Sequence, residues 1–365
     1  VSASSAALSI QWYEKERETD YRALYTETFG VTPAEGYFSW KYLKHPLSLN
    51  ATTTASIDGK VIGALGSIPK AFTVGGSRVI GAHELDMMVK KEYRNLGTFF
   101  SLFKFRLETA REKGIALSVG MNDRVLRTFA ERFLGYRDVD TIPQFIRVLD
   151  PRRYAKDKYG SGKRGMLAFL LLSVLLPLID LRVRLGALVA GRRYRMRKRE
   201  LFDDSFDRLW ERMRGVLDVA VERTSAYLNW RYVENPVRRY EILAAERKDG
   251  SPAAFIVFAC LPELQNCGVI VELVVAPGER GAAPLLLSRA LSTMRSRGAA
   301  TAVAWAFPDQ RNVEALRAGG FTMEEQNLFL QVRRIEENLD WDYLCDRRRW
   351  FISMGDNDFY YGIPL

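Results

Sequence analysis

Trp40-Lys41-Tyr42-Leu43-Lys44-His45-Pro46 returns 190 residues later as Trp230-Arg231-Tyr232-Val233-Glu234-Asn235-Pro236. A repeat of W-[KR]-Y-x-x-[HN]-P across half a chain constrains the fold more than any single motif. Other landmarks follow in the same order at nearly the same offset. Asp58-Gly59 corresponds to Asp249-Gly250, Val89 and Arg94 to Val275 and Arg280, Asn122 to Asn312, and Gly135-Tyr136 to Gly320-Phe321. Collinear landmarks of this kind indicate a duplicated unit. The 365 residues suffice for two domains of roughly 100–200 residues each.

One copy can be read and then tested against the other. In the first, 14–29 reads as a helix, and 52–56 and 61–67 as a hairpin about Asp58-Gly59. A strand over 79–89, a helix over 96–113 with apolar residues at helical spacing, and a strand over 115–119 follow. A helix over 123–133 and a last strand over 141–148 complete the copy. The second repeats the order, from a helix at 202–217 to a last strand at 328–332. The expected fold is mixed α/β: two tandem domains, each a central mixed sheet flanked by helices. Their expected limits are 1–150 and 201–365, joined by a helical apolar and basic linker over 151–200.

Composition excludes several function classes. Hydrophobic residues make up 47% and charged residues 27%, the balance of a globular rather than a disordered chain. Three cysteines without CxxC spacing and two histidines give neither a disulfide framework nor a zinc site, so no metal is expected. Sparse cysteine fits a reducing cytoplasm. The net charge of +10 favours anionic partners, among them a phosphorylated cofactor. The Trp-Lys-Tyr and Trp-Arg-Tyr triplets read as core packing rather than base stacking, and no nucleic-acid partner is expected.

Val89-Lys90-Lys91-Glu92-Tyr93-Arg94-Asn95-Leu96-Gly97-Thr98 joins a strand directly to a helix. A helix N-terminus presents unpaired amides and the positive end of its dipole, which together bind phosphate. Gly97 permits close backbone approach and Arg94 adds a charge. This run, with Asn122 and the later Leu134-Gly135-Tyr136, closely resembles the two signatures of the GNAT superfamily of acyl-CoA N-acyltransferases. The resemblance implies an acyl-CoA donor, expected to be acetyl-CoA, and an amine acceptor on a small molecule or peptide. It implies a cofactor site formed by Met88, Val89, Arg94, Asn95, Leu96, Gly97, Thr98, Phe99 and Asn122, with a backbone N–H near Met88 or Val89 for the oxyanion.

Strand alternation places Glu84 and Asp86 on one face, with His83 on the other. Two carboxylates on one face of a central strand are costly without a purpose, and the resemblance implies an acid there to accept the amine proton. Asp86, which aligns with Glu272, is the first candidate and Glu84 the second. Phe129 stands where the family often has a tyrosine proton donor. In the second copy Ala283 replaces the glycine and Pro284 removes an amide, so that loop reads as eroded.

Met166–Ile179 is a 14-residue apolar run beside the basic run Arg192–Arg199. It falls short of the roughly 20 residues of a membrane span. A helix packed on the domains or lying on the inner face of a membrane is expected, with peripheral contact through 163–199. Two further readings remain at this stage. One is an aminoacyl transferase using charged tRNA, from which the lack of an evident helical hairpin argues away. The other is a non-catalytic binding module on the same fold.

Overall fold

Asp58 and Gly59 both have positive φ (50° and 76°) and turn the strand Thr53–Ile57 back on the strand Lys60–Val74, with Ile57 facing Lys60. Two successive left-handed residues make the turn whose twist matches paired strands, which is why Asp-Gly signals a hairpin. The computed structural model describes residues 8–94, 96–264 and 266–358. The first lobe runs β1 (Ser9–Trp12), α1 (Glu18–Phe29), β2 (Thr53–Ile57), β3 (Lys60–Val74), β4 (Ser77–Val89), α2 (Leu96–Ala110), β5 (Ile115–Asn122), α3 (Arg124–Leu134), β6 (Arg137–Thr141) and β7 (Gln144–Val148). The connection holds α4 (Pro151–Tyr159), α5 (Lys163–Ala190) and β8 (Arg195–Arg199). The second lobe runs α6 (Asp204–Arg214), β9 (Val219–Val221), α7 (Ser225–Leu228), β10 (Glu241–Glu246), β11 (Pro252–Leu261), β12 (Cys267–Val275), α8 (Ala283–Ser296), β13 (Thr301–Trp305), α9 (Val313–Ala318), β14 (Thr322–Glu324), β15 (Phe329–Arg334), α10 (Trp341–Cys345) and β16 (Trp350–Phe351).

Two mixed sheets flanked by helices result, as the sequence led one to expect. One has the order β1-β2-β3-β4-β5-β15-β6, with β9 and β16 attached beside β3. The other has the order β14-β7-β13-β12-β11-β10-β8. The parallel pairs β4–β5 and β12–β13 lie at the centres of the two sheets.

The expected last strands behave differently from the sequence reading. The run 141–148 is broken at Ile142-Pro143, where proline cannot donate to a ladder. Only its first residue, Thr141, belongs to β6, which stays in the first sheet, whereas the part beyond the break forms β7, which crosses and pairs antiparallel between β13 and β14. In return β15 crosses from the second half and pairs between β5 and β6. Each half of the chain therefore completes the sheet of the other. The linker also departs from an all-helical reading. Arg195–Arg199 is an edge strand paired with β10, with Arg195, Arg197 and Lys198 exposed to water. Cations on an edge strand discourage further strand addition.

The repeated tryptophans meet at the centre. Trp40 Nε1 donates to the Trp230 carbonyl (3.0 Å), and Trp230 Nε1 donates to the Trp40 carbonyl (3.1 Å). Their rings stack 5.2 Å apart. Both are buried within one apolar core that runs from Tyr13 through Trp40 and Trp230 to Val303. The two tryptophans of the repeat thus pack the shared core.

Candidate functional site

β4 and β5 pair only from Ile80–Ile115 to His83–Val119, and then part. The chain past His83 and Val119 borders a cleft of about 650 Å3 lined by Glu84, Leu85, Asp86 and Met87 on one side and Gly120, Met121 and Asn122 on the other. Its walls are apolar: Phe99 and Phe103 from α2, and Leu126, Phe129 and Leu134 from α3. The Phe99 ring turns into this wall, 5.3 Å from Phe129 and 6.1 Å from Phe103, so it lines the cleft. A second cavity, also about 650 Å3, adjoins the cleft at Met121 and Asp358 and lies between strands of both sheets.

A bulge decides where the carboxylates point. Leu65 pairs with Met87 and Gly66 with Leu85, leaving Asp86 as the extra residue, at φ 45°. One extra residue inverts the alternation that follows it. Glu84 and Asp86 therefore lie on opposite faces, contrary to the simple strand reading. Glu84 accepts from Arg106 of α2 (3.1 Å) and Ser118 of β5 (3.0 Å). Its Oε2 is buried and bonded to nothing among the described residues. Asp86 turns the other way and accepts from Lys41 (2.7 Å) and from the Tyr42 hydroxyl. Lys41 also reaches Asp358 (3.2 Å), a residue 317 positions away. The cleft thus holds one buried cation between two carboxylates.

Burial pushes Asp86 above the usual carboxylate range, against the pull of Lys41. Burial works against the Lys41 ammonium, but Asp86 and Asp358 outweigh it and hold that group protonated. Behind them, Lys70 is pushed down to about 8 and His83 to about 3, both chiefly by burial. His83 is therefore neutral and lies beside Lys70, on the side away from Glu84. Lys41, Tyr42 and Asp358 were not among the expected site residues. Lys41 recurs as Arg231 within the repeat, and that retained cation was the signal available.

The loop after β4 is partly self-bonded. Lys90 N–H donates to the Ile62 carbonyl (2.8 Å), while Tyr93 and Arg94 amides close a tight turn on Lys90 and Lys91. Ladder alternation sends the Met88 amide towards β3 as well, and turns the amides of Met87 and Val89 to the side that β5 has left. Met88 itself is buried in the core. The remaining donors belong to the first turn of α2, whose amides lie outside the helix's own ladder. Gly97 there is exposed, Thr98 is buried, and Arg94 is exposed with Nε bonded to the Val89 carbonyl (2.9 Å). Asn95 and the Leu96 side chain lie outside the described residues. Asn122 does not open α3. Asp123 caps that helix through the amides of Val125 and Leu126, and Asn122 ends β5, bonded to Gln331 of the exchanged strand (2.9 Å).

Residues 9–136 match the family model of the acetyltransferase (GNAT) domain. No curated protein sequence matches the chain. Among solved structures, the fold is shared with GNAT proteins over nearly its whole length. An Enterococcus faecalis protein described as a probable N-acyltransferase is 12% identical, with a TM-score of 0.61 over 91% of this chain and 73% of its own. A GCN5-related N-acetyltransferase from Kribbella flavida is 17% identical, with a TM-score of 0.59 over 92% of this chain and 72% of its own. The N-myristoyltransferase of Saccharomyces cerevisiae, solved with bound myristoyl-CoA, is 14% identical, with a TM-score of 0.58 over 96% and 86%.

The second lobe repeats the splay but closes it. β12 and β13 pair only at Gly268–Ala302 and Val269–Val303. Glu272 is gripped as Asp86 is, by Tyr232 (2.8 Å) and by Arg223, which also binds Asp356 (2.7 Å). Here the turn Met354–Asp356 lies directly on β12, and the trio is sealed, with side-chain exposures of 0–4%. From outside, α5 packs on α8, with Gly186 against Pro284 and Ile179 against Gly320. The first-lobe trio stays open at Asp358, whose side chain is 24% exposed.

Proposed function

We propose that the chain is an acyl-CoA-dependent N-acyltransferase of two tandem GNAT-like domains, with the first carrying the working site. The observation that carries this reading is the parting of β4 and β5 at an open cleft that holds Asp86, whereas the matching gap in the second lobe is filled. The apolar walls suit a pantetheine arm and acyl group. The first turn of α2, with Lys90, Lys91 and Arg94 around it, suits a diphosphate. GNAT relatives and an acyl-CoA-bound myristoyltransferase among the structural neighbours support that donor class. Acetyl-CoA is the proposed donor.

The amine enters through the cavity that meets the cleft at Met121 and Asp358. Asp86, made more basic by burial, takes its proton, directly or through water, and the freed lone pair attacks the thioester carbonyl. The amides of Met87 and Val89 face the gap and stabilise the oxyanion. Collapse of the tetrahedral adduct forms the amide and expels the thiolate. Phe129 cannot protonate it. Tyr25 and Tyr136 line the cleft, but burial raises both hydroxyls and makes them weaker acids, so the second amine proton, still on the adduct's nitrogen, passes to the thiolate.

A tRNA-dependent reading keeps one observation in its favour. The sequence reading found no helical hairpin, yet α4 and α5 form one, with Gly165 packed on Gly160. Thermal stabilisation by acetyl-CoA, longer acyl-CoAs, CoA and charged tRNA separates the cases. Acyl-CoA should raise the melting temperature, Arg94→Glu should weaken that effect, and Asp86→Asn should preserve it while turnover falls about 10²–10⁴-fold. Stabilisation by tRNA alone, or unaltered turnover in Asp86→Asn, refutes the scheme.

A further inference from the structure

The 14-residue apolar run is only half of α5, a helix of 28 residues. One line along it, Gly165, Leu176, Val183 and Ala190, is buried against the protein. The opposite side is bare: Leu167, Leu171, Val174, Leu178, Leu181, Leu185 and Leu188 are each between 53% and 70% exposed. At about 100° per residue these seven lie within roughly 60° of Val174, and Arg182 and Arg184 fall about 80° to either side. The stripe is therefore rimmed by cations on both flanks. Lys163 and Arg164 stand at its start, and Arg192, Arg193, Arg195, Arg197 and Lys198 are exposed just past its end.

We propose that α5 lies in the plane of an anionic lipid bilayer, with its apolar stripe among the acyl chains and its rim cations at the headgroups. The chemistry selects this occupant over a second copy. The helix has one acid, Asp180, and it is turned inwards to Arg147 (2.8 Å) and Arg295 (2.9 Å). Two copies packed stripe to stripe would bring cations together with no acid to meet them. A lipid surface supplies the missing negative charge, and long arginine stems reach from an apolar face to headgroups. The same ion pairs decide orientation. At about 1.5 Å per residue the helix is about 42 Å long, enough to cross the roughly 30 Å hydrocarbon core, so length does not decide. Spanning would strip Asp180 from both arginines and expose Pro284 and Gly320 of the second lobe. The inference is independent of the acyl-transfer reading, because it concerns the face of α5 turned away from both lobes.

Flotation with phosphatidylcholine vesicles, with and without phosphatidylserine, tests it on the full chain. The protein should float with the anionic vesicles at low salt and be released by high salt. Leu171→Glu with Leu178→Glu should reduce binding at least about tenfold, and so should Arg182→Glu with Arg184→Glu. These side chains are exposed, so the melting temperature and the acyl-CoA-induced shift should match the parent in both variants. A protein that stays soluble with anionic vesicles overturns the proposal. So does concentration-dependent dimerisation that the leucine pair abolishes without any flotation, and so does retention on vesicles after alkaline carbonate, which marks a spanning helix.

Discussion

Asp86 carries the conformational cost of the site. A non-glycine residue at φ 45° is strained by about 1–3 kcal/mol, and the strain persists because Lys41 and Tyr42 hold the side chain. Lys70, buried beside His83, gives a measurable consequence of burial. The folded value is about 8 against 10.5, so between those values the unfolded chain binds more protons. Stability should therefore rise as pH rises from about 8 to 10.5, by on the order of 3 kcal/mol. Lys70→Met removes this titration, and denaturant unfolding at both ends of the window checks it. The parent should gain on the variant as pH rises, and a constant difference would show that Lys70 is charged in the fold. Glu84 and Asp86 were legible in the sequence as acids on a central strand. Their opposite orientation was not, because a bulge depends on the partner strand. Nor was Asp358, because no local pattern links Lys41 to a residue 317 positions away.

At the scale of elements, the segment Trp350–Asp358 explains why one gap is open and the other shut. Its strand pairs parallel with β9, its turn lies on β12, and its next residues reach the first site. Gly355 sits where a Cβ would come within 2.0 Å of the Tyr232 hydroxyl and 2.4 Å of Glu272. Both groups are buried and bonded to each other, so neither can give way cheaply. Gly355→Ala should cost about 1–3 kcal/mol by overpacking. It should also lower turnover at the first site by loosening Asp358, three residues on. Turnover unchanged well below the melting temperature would detach the segment from catalysis. Elements made by local chemistry, such as the Asp58-Gly59 hairpin and the amphipathic helices, could be read directly. The resting places of β7, β8 and this segment could not, since each depends on partners far away in sequence.

At the scale of the molecule, the exchange of β7 and β15 makes the two halves interdependent. Without the second half, the first sheet loses the strand between β5 and β6, and β7 is left with Phe145 and its ladder exposed. The reciprocal loss falls on the second sheet. The Trp40–Trp230 seam adds a shared core that neither half can bury alone. Such an arrangement should unfold in one cooperative transition, whereas independent domains show two. The exposed turn Gly160-Ser161-Gly162 between α4 and α5 is a place to cut without breaking a strand. Residues 1–160 and 161–365 expressed separately should each lack sharp tertiary signals by near-ultraviolet circular dichroism. Expressed together, they should copurify as a 1:1 complex that melts as one unit and responds to acyl-CoA. A first half that folds alone and unfolds cooperatively would mean that its sheet closes without β15. The exchanged strands would then be an accessory to two self-sufficient domains rather than the bond between them.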